Sequence, residues 1–338
     1  MKDAARTTDL SAKDAAVPRI TTYDQLLLRS PQSSIFASRW WLDALVPGGY
    51  RILEVSRGGA ILAAWPIVEK TVNGRRHLYM PAMTQKLGIL FAPSEARPCD
   101  VQSANQRLTT ELLAQLGDAA TFAQNFHENF TDWLPFYWHG YAQTTRYTYV
   151  LEDISDPDAL WENMRAKNRR VIQKADELGI RVTDDLDLGH FLELNRKTFS
   201  RQGREPLESD AYITRLDEAC RTHAGRKIFA GVDSQGRVHA AVYVAWMNNT
   251  AYYLMGGSEP DLRRSGAQTL ALWEAIRFAR SVATHFDFEG SMLPQVEPAF
   301  RAFGARQLPY FAISKHPPPP TSLRGFVKQS INFRLGRH

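Results

Sequence analysis

Lys167, Arg170 and Lys174 recur at i, i+3 and i+7, so on a helix they share one face. Three cations on one face meet a phosphate-bearing ligand or form a solvated surface, and Arg165 and Arg169 enlarge the same cluster. A second segment, His285-Phe286-Asp287-Phe288-Glu289-Gly290, alternates apolar and acidic residues with the period of a strand. The phenylalanines then face one side and the carboxylates the other. A carboxylate so placed accepts a proton from an attacking amine, and burial raises its pKa toward the working range. Glu289 is the candidate for that role, whereas Asp287 is expected to bond loop amides and hold the turn. The histidines show no H-x-x-x-H or Cys–His spacing, and Cys99 and Cys220 are the only cysteines. Neither a metal centre nor a disulfide framework is expected. No P-loop or strand-linked G-x-G-x-x-G occurs.

Mixed α/β patterning supplies the elements that must carry these groups. In the first half, residues 38–45 read as helix, 51–55, 60–68 and 75–80 as strands, 103–116 as helix, and 121–126 and 146–151 as strands. A long helix is expected over 158–179, with Leu160, Met164, Val171, Ala175 and Leu178 on one face and Gly179 as its C-cap. Helices over 188–200 and 209–222 precede strands over 227–232, 238–246 and 251–255. The order closes with a helix over 266–282, a strand over 285–289, a short helix over 297–303 and a strand over 309–314.

One unit occurs twice. VSRGGAILAAWPI at 55–67 and VDSQGRVHAAVYV at 232–244 each read as strand, glycine turn, strand; Gly59 and Gly236 stand 177 residues apart, as do Ala63 and Ala240. Phe136 to Gly140, leading to Tyr147-Thr148-Tyr149, is echoed by Phe300 to Gly304, leading to Tyr310-Phe311. Two matches in the same order point to a tandem pair, and 338 residues suit two domains at ~150 residues each. An apolar content of 44% with 23% charged residues argues against wholesale disorder. No run of ~18 apolar residues predicts a membrane span, and the polar N-terminus lacks the apolar core of a secretion signal, so a cytoplasmic location is expected. The net charge of +5 suits a polyanionic ligand such as tRNA, a nucleotide or coenzyme A.

The order helices, three antiparallel strands, helix, strand, helix, strand resembles the GNAT acyltransferase fold. Its words are similar to those of the Fem-like branch, tandem GNAT proteins that include the aminoacyl-tRNA-dependent peptidyltransferases of cell-wall synthesis. The resemblance rests on IFASRWWLDAL (35–45), LYMPAMTQKLGIL (78–90), ALWENMRAKNRRVIQKADELGIRV (159–182), HFDFEGS (285–291), AFRAFGA (299–305) and PYFAISK (309–315). It covers roughly residues 35–315. With the repeat, it implies an α/β chain of two tandem GNAT-type domains, each a mixed, mostly antiparallel sheet flanked by helices. A degenerate domain over 19–150 and a complete one over 151–316 would lie between a mobile tail (1–18) and a proline-led tail (317–338).

The resemblance also implies roles. In coenzyme A-dependent relatives a loop of pattern Q/R-x-x-G-x-G/A cradles a pyrophosphate at a helix N-terminus. Arg263, Arg264 and Gly266 stand at that place, with Gln268 at the last small position; alternatively, Gly266 simply starts the helix. Together with Lys167 and Arg170 they are the candidates for donor binding. Glu289 would border a cleft opposite Met255-Gly256-Gly257, whose backbone amides would stabilise an oxyanion. Arg301 matches a basic residue of Fem-like proteins, and would stabilise charge there or pair with Glu297 one turn earlier. Arg201, Gln202, Gln85 and Tyr310 are candidates for acceptor binding, with Thr84 and Lys86 flanking Gln85. The expected function is transfer of an acyl or aminoacyl group to an amine acceptor, forming an amide. The donor is a tRNA-borne or coenzyme A-borne acyl group, with no tightly bound cofactor and no metal. The alternatives are a coenzyme A-dependent N-acyltransferase acting on a small molecule or lipid precursor, and a catalytically silent accessory protein for envelope polysaccharide production.

Overall fold

The computed structural model describes residues 19–206, 208–290, 292–294 and 296–315, and the tails expected at 1–18 and 317–338 lie outside them. Among the described residues the first half runs α1 (Tyr23–Arg29), α2 (Arg39–Leu45), β1 (Tyr50–Arg57), β2 (Ala60–Val72), β3 (Arg75–Leu78), β4 (Leu90–Phe91), α3 (Pro98–Leu116), β5 (Thr121–Asn125), α4 (Leu134–Trp138) and β6 (Ala142–Leu151). The second half adds α5 (Pro157–Asn163), α6 (Ala166–Glu177), β7 (Arg181–Thr183), α7 (Leu188–Arg201), α8 (Asp210–His223), β8 (Gly225–Val232), β9 (Val238–Met247) and β10 (Thr250–Ser258). It ends with α9 (Ala267–Ala279), β11 (His285–Asp287), α10 (Glu297–Arg301) and β12 (Arg306–Lys315).

These strands form one sheet in the order β1-β2-β3-β5-β12-β6-β11-β10-β9-β8-β7, with β4 paired to β2. The expectation of two domains, each with its own sheet, is corrected by that continuity, and the reason lies in the last strand of each half. β6 leaves the first half to pair antiparallel with β11, and β12 leaves the second to pair antiparallel with β5. The two then pair with each other from Arg306 opposite Val150 to Ser314 opposite Ala142. The internal repeat survives inside this exchange. β1-β2-β3-β5 and β8-β9-β10-β11 both pair antiparallel, antiparallel, then parallel. Gly59 and Gly236 occupy the same hairpin turn at φ 79° and 77°, where a glycine avoids the left-handed penalty.

Strands covered on both faces read as near-continuous apolar runs, and β9 shows why. Its Ala241, Tyr243 and Ala245 join a core with α1, α2, α7 and α8, while Ala240, Val242 and Val244 join one with α5, α6, α9 and α10. Trp65 and Ile67 of β2 belong to a third core, under α3 and α4, whereas Ile61, Ala64 and Val68 turn to the first. That first core runs beneath both halves and makes them one body.

Two local expectations are revised. The helix expected over 158–179 breaks at Met164 and Arg165, which are extended at ψ 140° and 137°. Tertiary bonds replace the helical ones: Arg165 N–H donates to Ala302 O, and the Arg169 guanidinium donates to the carbonyls of Trp161, Glu162 and Met164. β11 stops at Asp287 instead of reaching Glu289. No helix among the described residues is long and apolar enough to cross a membrane.

Candidate active site

β10 and β11 run parallel only from Thr250 opposite His285 to Tyr252 opposite Asp287. Beyond that point they separate, for a reason visible in each. β10 keeps its pairing with β9 but bulges: Tyr253 faces Val244 and Met255 faces Tyr243, leaving Leu254 without a place in the register. After β11, Glu289 and Gly290 take left-handed backbone at φ 57° and 56° and turn the chain away. Glycine is required at the second position, because a Cβ there would lie 2.4 Å from Tyr147 O. The gap is a cleft of about 320 Å³. One wall is Tyr253 to Gly256 and the other Phe288 to Gly290; Asn195 and Thr198 of α7, Gln202 at its C-cap, and Met83, Thr84 and Gln85 of the first half complete the lining.

Glu289 is a non-glycine residue in the left-handed region, a costly backbone state that needs support from its surroundings. Asp287 provides it. Its Oδ1 accepts from Glu289 N–H at 2.8 Å and from the Thr148 hydroxyl at 2.5 Å, and its Oδ2 accepts from Lys86 Nζ at 2.8 Å. Lys86 is 1% exposed and also donates to Glu128 Oε2 at 2.8 Å. Burial works against its charge, but Asp287 and then Glu128 outweigh burial and hold its pKa above the usual lysine value. Glu128 is likewise opposed by burial, yet Lys86 keeps its carboxyl below the ordinary range. Beside them burial keeps His127 neutral, pushing it down to about 4. A lysine of the first half thus fixes, through one carboxylate, the turn that aims Glu289.

The cleft brings together Glu289, Gln85 and Gln202, along with Thr84 and Gln268. Glu289 reaches it through the left-handed turn rather than by strand alternation. Arg301 is not among the lining residues; it donates to Glu297 Oε1 at 2.7 Å, the same atom that accepts the Tyr149 hydroxyl at 2.6 Å. The expectation that Arg301 faces Glu289 across one cleft is therefore corrected, since its own helix supplies the carboxylate one turn away. Tyr310 is buried in β12 opposite Arg146, and Arg201 is exposed at the end of α7; neither lines the cleft. Lys167, Arg170, Arg263 and Arg264 are all exposed, on α6 and on the 3₁₀ turn Arg263–Ser265 that packs against it. Gly266 starts α9 at φ 84°, and a Cβ there would lie 2.8 Å from both the Cγ1 and the carbonyl of Val171. Its bareness serves the approach of α6. Sequence reading passed over Asn195 and Thr198, although with the C-cap residue Gln202 they make a polar i, i+3, i+7 stripe along α7 and its end. Asn195 donates to Gly256 O at 2.8 Å, and Thr198 Oγ1 accepts from Ser258 N–H at 2.8 Å, so this stripe holds the bulged strand.

Residues 162–293, which contain β10, β11 and both walls of their divergence, match the family described as Acetyltransferase (GNAT) domain. Over the whole fold the chain is similar to the crystal structure of FemX, with a TM-score of 0.64 at 14% identity, covering 85% of this chain and 94% of that one. It is also similar to L-PGS from Bacillus licheniformis (TM-score 0.50, 12% identity, 88% and 91% covered) and to a conserved protein of unknown function from Bacteroides thetaiotaomicron (0.53, 11%, 88% and 98%). No curated protein matches the sequence. Residues 162–293 thus match a GNAT acetyltransferase domain, within a chain whose overall fold is similar to that of FemX.

Proposed function

We propose that this protein is an acyltransferase that forms an amide on an amine acceptor, and that residues 19–150 and 151–316 are two GNAT units that have exchanged their last strands. The observation that carries the reading is the splayed cleft, with the Leu254 bulge on one wall and Glu289 on the other. The amine nitrogen bonds to the acyl carbonyl carbon, and the carbonyl electron pair moves to oxygen. Backbone N–H groups at the bulge stabilise that oxyanion. Glu289 takes the proton released by nitrogen; collapse then breaks the bond to the ester oxygen or thioester sulfur, and the leaving group receives the proton. Alignment of amine and carbonyl by the two walls supplies the rest. Lys167 and Arg170 on α6, with Arg263 and Arg264 on the adjoining turn, meet the donor's phosphates close to Gln268, where α9 enters the cleft. Because Gly266 is packed on Val171, exposed side chains rather than an open loop of amides must hold those phosphates. That arrangement favours a tRNA-borne donor over coenzyme A.

Glu289→Gln keeps the shape and removes the base, so turnover falls by roughly 10²–10⁴-fold with the denaturation midpoint unchanged. Calorimetric titration with charged tRNA and with coenzyme A, separately, discriminates the donors. Charged tRNA binds with an affinity that falls as salt rises. Binding of coenzyme A alone transfers the reading to a thioester donor; binding of neither, at low salt with the fold intact, replaces it with the accessory-protein reading.

A further inference from the structure

Gln85 is 6% exposed and lines the cleft, yet neither Nε2 nor Oε1 of its side chain has a hydrogen-bond partner among the described residues. A buried primary amide with both ends unsatisfied is costly, and native folds keep such groups where something else completes them. Its backbone is not the reason for its presence. Gln85 O accepts from Asn125 Nδ2 at 2.9 Å whatever side chain the position carries, and Thr84 beside it is engaged by Trp41 Nε1 at 3.0 Å. A preceding residue, Met83, is held at φ 59°, so this short loop is presented to the cleft in a defined and unusual shape.

We infer that Gln85 is the acceptor-anchoring residue, and that the acceptor is an α-amino acyl compound, carrying an amine beside a carbonyl or carboxylate. The inference rests on the acyltransfer reading above. A primary amide offers one acceptor and one donor about 2 Å apart in a plane. Exchange of its O and N, which are equivalent in shape, swaps the ends but not the pair. The terminal torsion is broad, so either end turns toward the cleft without leaving a rotamer well. Glu289 lines the same cleft, which makes an amine the fitting donor for Oε1 and places the nitrogen near its base. Nε2 is then left to donate to the oxygen of the carbonyl whose carbon lies two bonds from the amine nitrogen. Discrimination follows from the same geometry, because a compound with the amine alone leaves half of the buried amide unpaired.

The test follows the side-chain ¹⁵NH₂ resonance of Gln85, assigned by its loss in Gln85→Leu, on titration with glycinamide, ethylamine and acetate. Glycinamide shifts it saturably, and the two single-function probes bind about 10- to 100-fold more weakly. Gln85→Leu and Gln85→Met lose the preference for glycinamide while their denaturation midpoints stay level or rise, because an unsatisfied buried amide has been replaced by an apolar group. A resonance that no probe moves means that water completes the amide, and overturns the proposal. So does equal binding of glycinamide and ethylamine, or a midpoint lowered in both variants. These readouts need no turnover: normal glycinamide binding in a protein that transfers no acyl group sinks the acyltransfer reading alone, and full turnover with unchanged acceptor KM in Gln85→Leu sinks the anchor alone.

Discussion

Replacing Lys86 with methionine tests whether the link between the two halves is electrostatic. The methionine chain fills much of the same volume, so the loss is the cation. At 2.8 Å from each carboxylate, and with side chains 1% (Lys86), 2% (Asp287) and 15% (Glu128) exposed, each contact is worth ~6 kcal/mol at an effective dielectric near 20. Desolvation of the ammonium and repulsion between the two carboxylates cancel a large part of that. What remains on removing one partner of a buried pair is about 3–5 kcal/mol, because uncompensated charge stays inside. Urea denaturation followed by tryptophan fluorescence reads this as a midpoint lower by about 1 M or more, at a slope of about 3 kcal/mol/M. Adding Asp287→Asn and Glu128→Gln to the Lys86→Met variant restores most of the loss, since no buried charge is then left over. A single variant that loses less than about 1 kcal/mol, or a triple variant less stable than the single, would refute the reasoning. The first outcome would mean that water reaches the cluster; the second, that packing rather than charge holds it.

Acid stability is the next expectation. Burial depresses the His127 pKa from 6.5 to about 4, so the unfolded chain binds a proton that the folded one refuses; stability is full above pH 6.5 and is lost as pH falls toward 4, by about 3 kcal/mol. Denaturation midpoints measured across that window should slope in the native protein and flatten in His127→Gln. Gly290→Ala combines left-handed strain with a Cβ 2.4 Å from Tyr147 O and should cost about 2–4 kcal/mol. Gly140→Ala, at φ 77° with nothing within 4 Å of its Cβ, isolates the strain and should cost about 1 kcal/mol by thermal melting. Equal losses at the two glycines would remove the clash from the account of the turn.

Local pattern was enough for the paired hairpins. The turns at Gly59 and Gly236 need left-handed backbone, and the apolar runs of β2 and β9 need cover on both faces, so type and spacing carry that information unaided. The same holds for the crossover helices and for the GNAT word order in the second half. Strand exchange was not legible, because β6 and β12 present the same alternation whichever partner they choose. Their partners, β11 for β6 and β5 for β12, are edges that only the assembled fold brings alongside them. The break at Met164 was hidden for a similar reason: an apolar stripe continues through it, and only the carbonyl of Ala302, brought from a distant segment, makes the extended form competitive. In the site, strand alternation singled out Glu289 and the family resemblance pointed to Gln202 and Gln85, but the resemblance also offered Arg301, which its own helix neutralises through Glu297. In the sequence Lys86 stands only as a neighbour of Gln85 beside the expected acceptor groove. Its burial is decided by Asp287, 201 residues away, and by Glu128, and long-range charge pairing of that kind leaves no periodicity in a sequence.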